Sequence, residues 1–275
     1  MYFNKIRFIL SAAVFTLLVA GCQKMDRPAL DPNFPSDENQ VTIPGDLRFF
    51  ASFNKTDGPS PRWNATDSIS SNPALLYPLT YVPGITGNAL QGKDGTAALY
   101  LNANDFKTAT DFSIAFWVKS AAHVGRTEFI FSLVQPGFAW HSSALFILVE
   151  NQTASSVTMK VGVKDQWLEG TFPKPMFDNN WHHIVYSFNN TAKRMTYYFD
   201  GVEVTGLASN QYNVANSVSF ADIKNLVIGG WNRHSQQPGP TDDWVKSFTG
   251  TVDQFRLYKK PLTASEAMAL FTSKQ

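Results

Sequence analysis

The chain of 275 residues contains a single cysteine, Cys22. No intrachain disulfide can form, so the folded part must hold itself together by packing. Charge is equally scarce: Asp, Glu, Lys and Arg make up 16 % of the residues, and no run of like charges occurs. This excludes the basic stripe of a nucleic-acid binder and the polybasic patch of a protein that rides on anionic lipid. The longest apolar run, "FILSAAVFTLLVA" at 8–20, has 13 residues, well short of the ~20 that cross a bilayer. Five histidines are present, at 123, 141, 182, 183 and 234, and none has the spacing of a metal motif. A phosphate-cradling loop is missing as well, because "GKDGT" at 92–96 lacks the required spacing. No nucleophilic-serine motif occurs either.

What is present begins with a leader. Lys5 and Arg7 precede the short apolar run, the arrangement of a signal peptide. The run ends in "LVAGC", Leu18 to Cys22, which resembles a bacterial lipoprotein signal, with Val19 where leucine is commoner. That resemblance implies cleavage after residue 21, a lipid on Cys22 and anchoring to a membrane. Gln23 follows the cysteine in place of the aspartate that retains such proteins in the inner membrane, so the expected location is the outer membrane. Removing residues 1–21 takes away two cations and no anions, leaving 21 basic against 22 acidic residues. A near-neutral protein steers no charged partner over long range. Residues 22–45 carry four prolines and many polar groups, the composition of a tether.

The remainder, 46–275, is expected to be one β-rich domain. Aromatic residues make up 14 % of the chain, with 22 phenylalanines, and β-branched or aromatic runs alternate with turn residues. Such runs include "LRFFASF" (47–53), "DFSIAFWVKS" (111–120), "SALFILVE" (143–150), "HHIVYSF" (182–188) and "TGTVDQFRLY" (249–258). In 111–119 the apolar residues Phe112, Ile114, Phe116 and Val118 alternate with Asp111, Ser113, Ala115, Trp117 and Lys119, the period of a half-buried strand. "FDGVEV" predicts a hairpin closed by Asp200-Gly201. One helix is predicted, in "LTASEAMALF", where Thr263 and Glu266 have the spacing of a capping box. Many short strands with one short terminal helix predict an all-β, two-sheet antiparallel sandwich.

Three blocks then resemble a laminin-G-like, concanavalin-A-like jelly roll. They are "GNALQGKDGTAALYLNANDFKTATDFSIAFWVKS", "NNWHHIVYSFNNTAKRMTYYFDGVEV" and "FTGTVDQFRLYKKPLTASEAMALF", in family order over residues 86–271. The resemblance implies two sheets, one of them concave. It does not imply one function, because glycan-binding modules, adhesins and enzyme domains share the fold. It also implies a structural calcium, with Asp253 and Asn54 at the matching positions and Asp57, Asp94 or backbone carbonyls available to complete the six to eight oxygens calcium takes. Asn54 stands where the family usually has aspartate; the other reading of Asp253 is a carboxylate that caps a turn.

In "WHHIVYSF" (181–188), strand alternation sends His182 and His183 to opposite faces, so they cannot share a metal. The expectation is a central strand whose histidines bond neighbouring backbone or loops. Glucanases of this fold commonly carry Glu-x-Asp-x-Glu on one strand, and no such pattern occurs. Glu150, Glu169, Glu203 and Glu266 are isolated in sequence, so no catalysis is expected. The favoured site is the long polar and aromatic loop at 229–247, with Trp231 and Trp244 as stacking platforms for sugar rings and Asn232, Arg233 and His234 as polar readers. Its alternative is a surface loop whose tryptophans pack on each other or on the sandwich. Trp140, in "QPGFAWHSS", and Trp167, in "KDQWLEG", are further aromatic candidates. The expected function is non-catalytic glycan binding at the cell envelope. A protein-binding adhesin is the alternative, and a polysaccharide-degrading enzyme with a dispersed site stands behind both.

Overall fold

The computed structural model describes residues 46–54, 79–100, 103, 105–135, 143–235 and 242–274, all within the unit Val41–Gln275. Cys22, the leader, the tether and Trp140 lie outside the described residues. The described residues include fifteen strands: β1 (Leu47–Ala51), β2 (Thr80–Pro83), β3 (Asn88–Gln91), β4 (Ala98–Tyr100), β5 (Phe112–Lys119), β6 (Thr127–Val134), β7 (Leu145–Glu150) and β8 (Val157–Val163). They continue with β9 (Gln166–Phe172), β10 (His182–Asn189), β11 (Arg194–Phe199), β12 (Val202–Glu203), β13 (Asn225–Ile228), β14 (Val245–Ser247) and β15 (Thr251–Tyr258). An α-helix, α1 (Ala264–Thr272), follows β15.

The strands form two sheets. The first runs β12-β11-β10-β5-β15-β3-β2, with β1 also paired to β15; the second runs β4-β13-β6-β7-β8-β9, with β14 paired to β6. Every strand pair is antiparallel except β14 with β6. The main core lies between the sheets. Phe112, Ile114, Phe116 and Val118 of β5 and Ile184, Tyr186 and Phe188 of β10 meet Ile147 and Val149 of β7 and Met159 and Val161 of β8. Phe116 stacks on Tyr186 and on Phe255 with ring centroids 6.1 and 5.9 Å apart. A buried side chain of this size contributes roughly 1.5–3 kcal/mol, which is how a domain with no disulfide among its described residues stays folded.

Strand β5 departs from the half-buried expectation. Ala115 and Trp117, on its second face, are buried too. The cause is α1, which lies across the outer face of the first sheet. Leu262, Ala267 and Leu270 pack there with Ala115, Val185, Tyr198 and Tyr258, and Phe271 stacks on Trp117 at 5.6 Å. The helix begins with the expected capping box: Glu266 N donates to Thr263 Oγ1, and Thr263 N donates to Glu266 Oε2. Asp200 and Gly201 take left-handed φ values of 49° and 78°, closing the β11–β12 hairpin. Gly201 also lies under Met268 of α1, where a side chain would meet the sulfur at 2.9 Å.

Candidate functional site

The loop favoured from sequence folds inward. After β13 the chain makes a short 3-10 turn over Asn232–Ser235, closed by His234 N donating to Trp231 O at 2.8 Å. This turn lays Trp231 flat on the outer face of the second sheet, among Phe129, Phe146, Leu148 and Val245. Trp231 is 0 % exposed, so it has no face to offer a sugar. Asn232 and His234 are buried as well. Asn232 Oδ1 accepts from Ser143 Oγ at 2.7 Å. His234 Nδ1 accepts from Trp231 N, and its Nε2 lies 3.0 Å from Ser247 Oγ. Burial, reinforced by the Arg233 charge, holds the His234 imidazole down at about 4, so it stays neutral at ordinary pH. Trp231 thus packs on the sandwich, as the alternative reading of this loop expects, and Asn232 and His234 spend polar atoms on Ser143, Trp231 N and Ser247. Trp244 is 57 % exposed, and Trp231 lies buried away from it as part of the wall. Arg233 is exposed and paired with Asp243. Arg233 and His234 edge a depression of about 290 Å3 with Asp94, Gly95, Val245, Lys246 and Ser247.

The residues implied for calcium do different work. Asp253 is fully buried, and both its oxygens accept backbone N–H groups: Oδ2 from Ile85 at 2.8 Å and Thr86 at 3.3 Å, and Oδ1 from Gln254 at 2.7 Å. Burial pushes its carboxyl up to about 7, against the pull of these three amides and of Arg256. Asn54 Oδ1 accepts from Asn88 N at 2.9 Å. The two side chains thus pin the turn at 84–88 from either side. Gly84 and Gly87 are the points of closest approach, where a Cβ would stand 2.3 Å from Asp253 Oδ2 and 2.2 Å from Asn54 Oδ1. N–H groups aimed at these oxygens favour a lone anion and occupy the lone pairs a cation needs. Among the described residues no three His, Cys, Asp or Glu side chains gather as a metal site. Asp94 is bound to Arg126, and Asp57 lies outside the described residues. The residues present do not fit a calcium ion and do fit the turn-capping alternative.

The adjacent histidines separate as strand alternation requires. His182 lies between two carboxylates, with Nδ1 2.9 Å from Asp200 Oδ2 and Nε2 3.0 Å from Asp178 Oδ1. Burial works against its charge, but the hydrogen bonds to Asp200 and Asp178 outweigh it and raise the imidazole above its ordinary value. His183 points beneath α1, 5.2 Å from the Trp117 ring. Its ring nitrogens meet no hydrogen-bond partner among the described residues, and burial holds it down at about 3. The expected bonds to loops are made by His182, whose partners Asp178 and Asp200 lie in the segment before β10 and in the β11–β12 turn, whereas His183 is buried without them.

A larger cleft opens beside this strand. It holds about 490 Å3 and is lined by Trp181, Asn179, Gln91, Lys119, Ser120, His123, Thr249 and Thr251, with Val82, Pro83, Ala121 and Gly250. The ends of β3 and β5, the beginning of β15 and the segment entering β10 converge there. Side chains from sequence-distant segments fix its shape. Gln91 Nε2 donates to Thr249 O at 2.8 Å, and Thr251 Oγ1 donates to Gln91 Oε1 at 3.0 Å. Asn179 N donates to Ser120 O at 2.8 Å, with Asn179 in the left-handed region at φ 70°. Gly250 sits against Ser120 and Phe248, leaving no room for a side chain. Behind the cleft Glu128 is 0 % exposed. Its carboxylate accepts from Gln152 Nε2, Arg126 Nε and Thr249 Oγ1, and His123 Nδ1 lies 2.9 Å from Oε2. Only the tryptophan of this cleft stood out in the sequence, in the "WHH" stretch; its other walls are up to 170 residues away from one another and share no motif.

Trp167, the remaining aromatic candidate, is 40 % exposed on the outer face of the second sheet. It meets Phe146 edge-on at 6.2 Å and lies under Lys160, which bridges Glu150 and Glu169 at 3.1 and 3.2 Å.

Residues 93–268 match the family model of the concanavalin A-like lectin/glucanases superfamily, in its laminin G form. Among curated proteins, none is significantly similar in sequence. Among solved structures, botulinum neurotoxin type C, described as entering cells through two ganglioside molecules, is similar with TM-score 0.56 at 14 % identity, over 84 % of this chain and 51 % of that one. The binding domain of botulinum neurotoxin DC, in complex with rat synaptotagmin II, is similar with TM-score 0.55 at 13 % identity, over 83 % of this chain and 52 % of that one. Trypanosoma rangeli sialidase in complex with sialic acid gives TM-score 0.53 at 18 % identity, over 83 % of this chain and 33 % of the enzyme. The chain thus spans about half the length of the toxin structures and a third of the sialidase. At these identities the likeness is one of fold.

Proposed function

Because this chain belongs to the concanavalin A-like lectin/glucanases superfamily, we propose that it binds a glycan, without cleaving its backbone, in the cleft around Trp181. The observation that carries this reading is the lining of that cleft. One partly exposed tryptophan stands beside the amide of Asn179 and the hydroxyl oxygens of Thr249 and Thr251, on a wall braced by Gln91, in about 490 Å3 of open space. Sugar rings offer apolar C–H faces to an aromatic ring and hydroxyls to amides and threonines, which is the mixture found here. The stacking role expected of Trp231 and Trp244 thereby passes to Trp181. Hydrolysis of a glycosidic bond needs two carboxyl groups flanking it. The cleft lining has none, and Glu128 behind it is buried under four polar partners.

The leader belongs to the same proposal. A lipid on Cys22 and a tether over 22–45 would hold the domain at the outer membrane, where polysaccharide capture is useful. The test is affinity electrophoresis of the purified domain, residues 46–275, through gels containing single polysaccharides. Retardation by at least one polymer is expected, with Trp181→Ala weakening it about tenfold or more, the range of a central aromatic anchor. Retardation unchanged by Trp181→Ala would remove the cleft from the proposal.

A further inference from the structure

We infer that the sugar this cleft takes is acidic, carrying a carboxylate that Lys119 receives. The inference rests on the glycan-binding reading and adds the chemical class of the ligand. Its basis is the charge of the cleft. The lining includes one lysine and one histidine and no aspartate or glutamate. Lys119 ends the central strand β5, with its ammonium free of any ion-pair partner among the described residues.

The neighbouring carboxylates do not cancel that cation. Glu128 is fully buried and takes Arg126 Nε, Gln152 Nε2 and Thr249 Oγ1 as donors, beside His123 Nδ1. Asp94 is held by the other arm of the same guanidinium, from Arg126 Nη2. Asp178, next to the cleft segment, is held by His182 Nε2 and by Asn180 N and Nδ2. Each of these three acids already has cationic or N–H partners. Among the described residues the ammonium is left without an ion-pair counterpart at the cleft wall.

The geometry of the wall agrees. Trp181 offers a ring face, and Asn179, which makes no other side-chain hydrogen bond among the described residues, brings an amide that can donate to a hydroxyl or a carboxylate oxygen. Gln91 is less available, because its amide is spent on Thr249 O and Gly92 O and its oxygen on Thr251. A uronic acid presents one apolar ring face, vicinal hydroxyls and one carboxylate, which match a ring, an amide and an ammonium. A neutral hexose would leave Lys119 desolvated without a partner, a cost that discriminates against it.

The experiment compares polymers that differ only in charge. Polygalacturonate, alginate and hyaluronan are each tested beside their carboxyl-methyl-esterified forms, with dextran and xylan as neutral controls. Binding is measured by affinity electrophoresis and by titration calorimetry at 50 and 300 mM NaCl. At least one acidic polymer is expected to bind at least fivefold tighter than its ester, with the preference shrinking in high salt. Lys119→Gln should lower affinity for that polymer about three- to tenfold and leave its ester unchanged, whereas Lys119→Arg should keep the preference. Equal binding of acid and ester, or binding of neutral polymers alone, overturns the acidic assignment and leaves glycan binding standing. Binding to none of these polymers overturns both. Lys119→Gln that weakens acid and ester alike means the lysine shapes the cleft without reading charge, and this too overturns the inference.

Discussion

Replacing Trp231 by alanine tests whether the loop at 229–247 is wall or platform. Trp231 is among the largest fully buried side chains, packed on Phe129 with ring centroids 6.1 Å apart and covering Phe146, Leu148 and Val245. Truncation removes the indole from the outer face of the second sheet and leaves a cavity the 3-10 turn cannot fill, because His234 N and Ser143 tie that turn in place. Burial of this kind lost to alanine costs about 3–5 kcal/mol. For a domain of this size each kcal/mol lowers Tm by roughly 2–4 °C, so the expected fall is about 6–20 °C. Trp244→Ala is the control: its side chain is 57 % exposed and should move stability by no more than about 0.5 kcal/mol. Urea unfolding followed by far-UV circular dichroism measures both, with the slope unchanged in each variant if the effect is on the native state. A Trp231→Ala midpoint indistinguishable from wild type would refute the reasoning. So would a Trp231→Ala variant that keeps its stability and loses glycan binding, since that pattern belongs to a stacking platform.

Other perturbations probe the frame. Gly162→Ala would place a Cβ 1.9 Å from the Phe146 ring; displacing that ring should cost about 1–3 kcal/mol in chemical denaturation. Thr263→Ala deletes the cap of α1 and should cost about 1 kcal/mol, read by the same assay, with Phe271 and Trp117 losing their stacking in near-UV circular dichroism. The pH dependence of stability follows from His182. Its folded pKa is raised above 6.5 by Asp200 and Asp178, so the stability it supplies is full below about pH 6.5 and is lost as pH rises through the folded pKa. Tm measured from pH 6 to 9 should fall in wild type and fall less steeply in His182→Gln, where the remaining slope below about pH 7 comes from the buried Asp253, whose carboxyl is raised to about 7; a wild-type curve that rises over this window contradicts the assignment.

Local features were legible in the sequence, and their physics explains why. Asp200-Gly201 specifies a hairpin because the turn's left-handed backbone depends on these two residues alone. Thr263 and Glu266 specify a helix start through hydrogen bonds spanning three residues. The alternation of "HHIVYSF" separates two faces, and the structure turns Ile184, Tyr186 and Phe188 to the inter-sheet core and Val185 to the other side. The misreadings concern what covers a face. Ala115 and Trp117 read as the open side of β5, and α1, more than 140 residues later, closes over them. "WNRHS" has the composition of a surface loop, but one 3-10 turn reverses it and buries the tryptophan. Asp253 and Asn54 carry oxygens suited to calcium, but whether those oxygens are free depends on backbone N–H groups from a turn some 170 and 30 residues away. The Trp181 cleft was not visible at all, since it exists only once the ends of β3, β5, β10 and β15 are brought to one rim.

That construction separates residues that hold the cleft from residues that read a ligand. Gln91 spans two rim segments by bonding Thr249 O and accepting from Thr251, and Gly250 has Ser120 and Phe248 where a side chain would be. Changing either shifts the walls against each other, so stability and binding fall together. Trp181 and Lys119 carry no such ties: neither side chain makes a hydrogen bond or ion pair among the described residues. Their substitution should alter binding while leaving Tm nearly constant. A rim organised this way can change which sugar it takes by exchanging one or two side chains, because the packing that maintains the fold lies in the core between the sheets and in the buried Glu128 cluster behind the cleft. Thermal melts of Trp181→Ala, Lys119→Gln and Gln91→Ala in parallel decide the point. The first two should melt within about 2 °C of wild type and Gln91→Ala several degrees lower, whereas equal losses in all three would mean that the reading residues are themselves part of the frame.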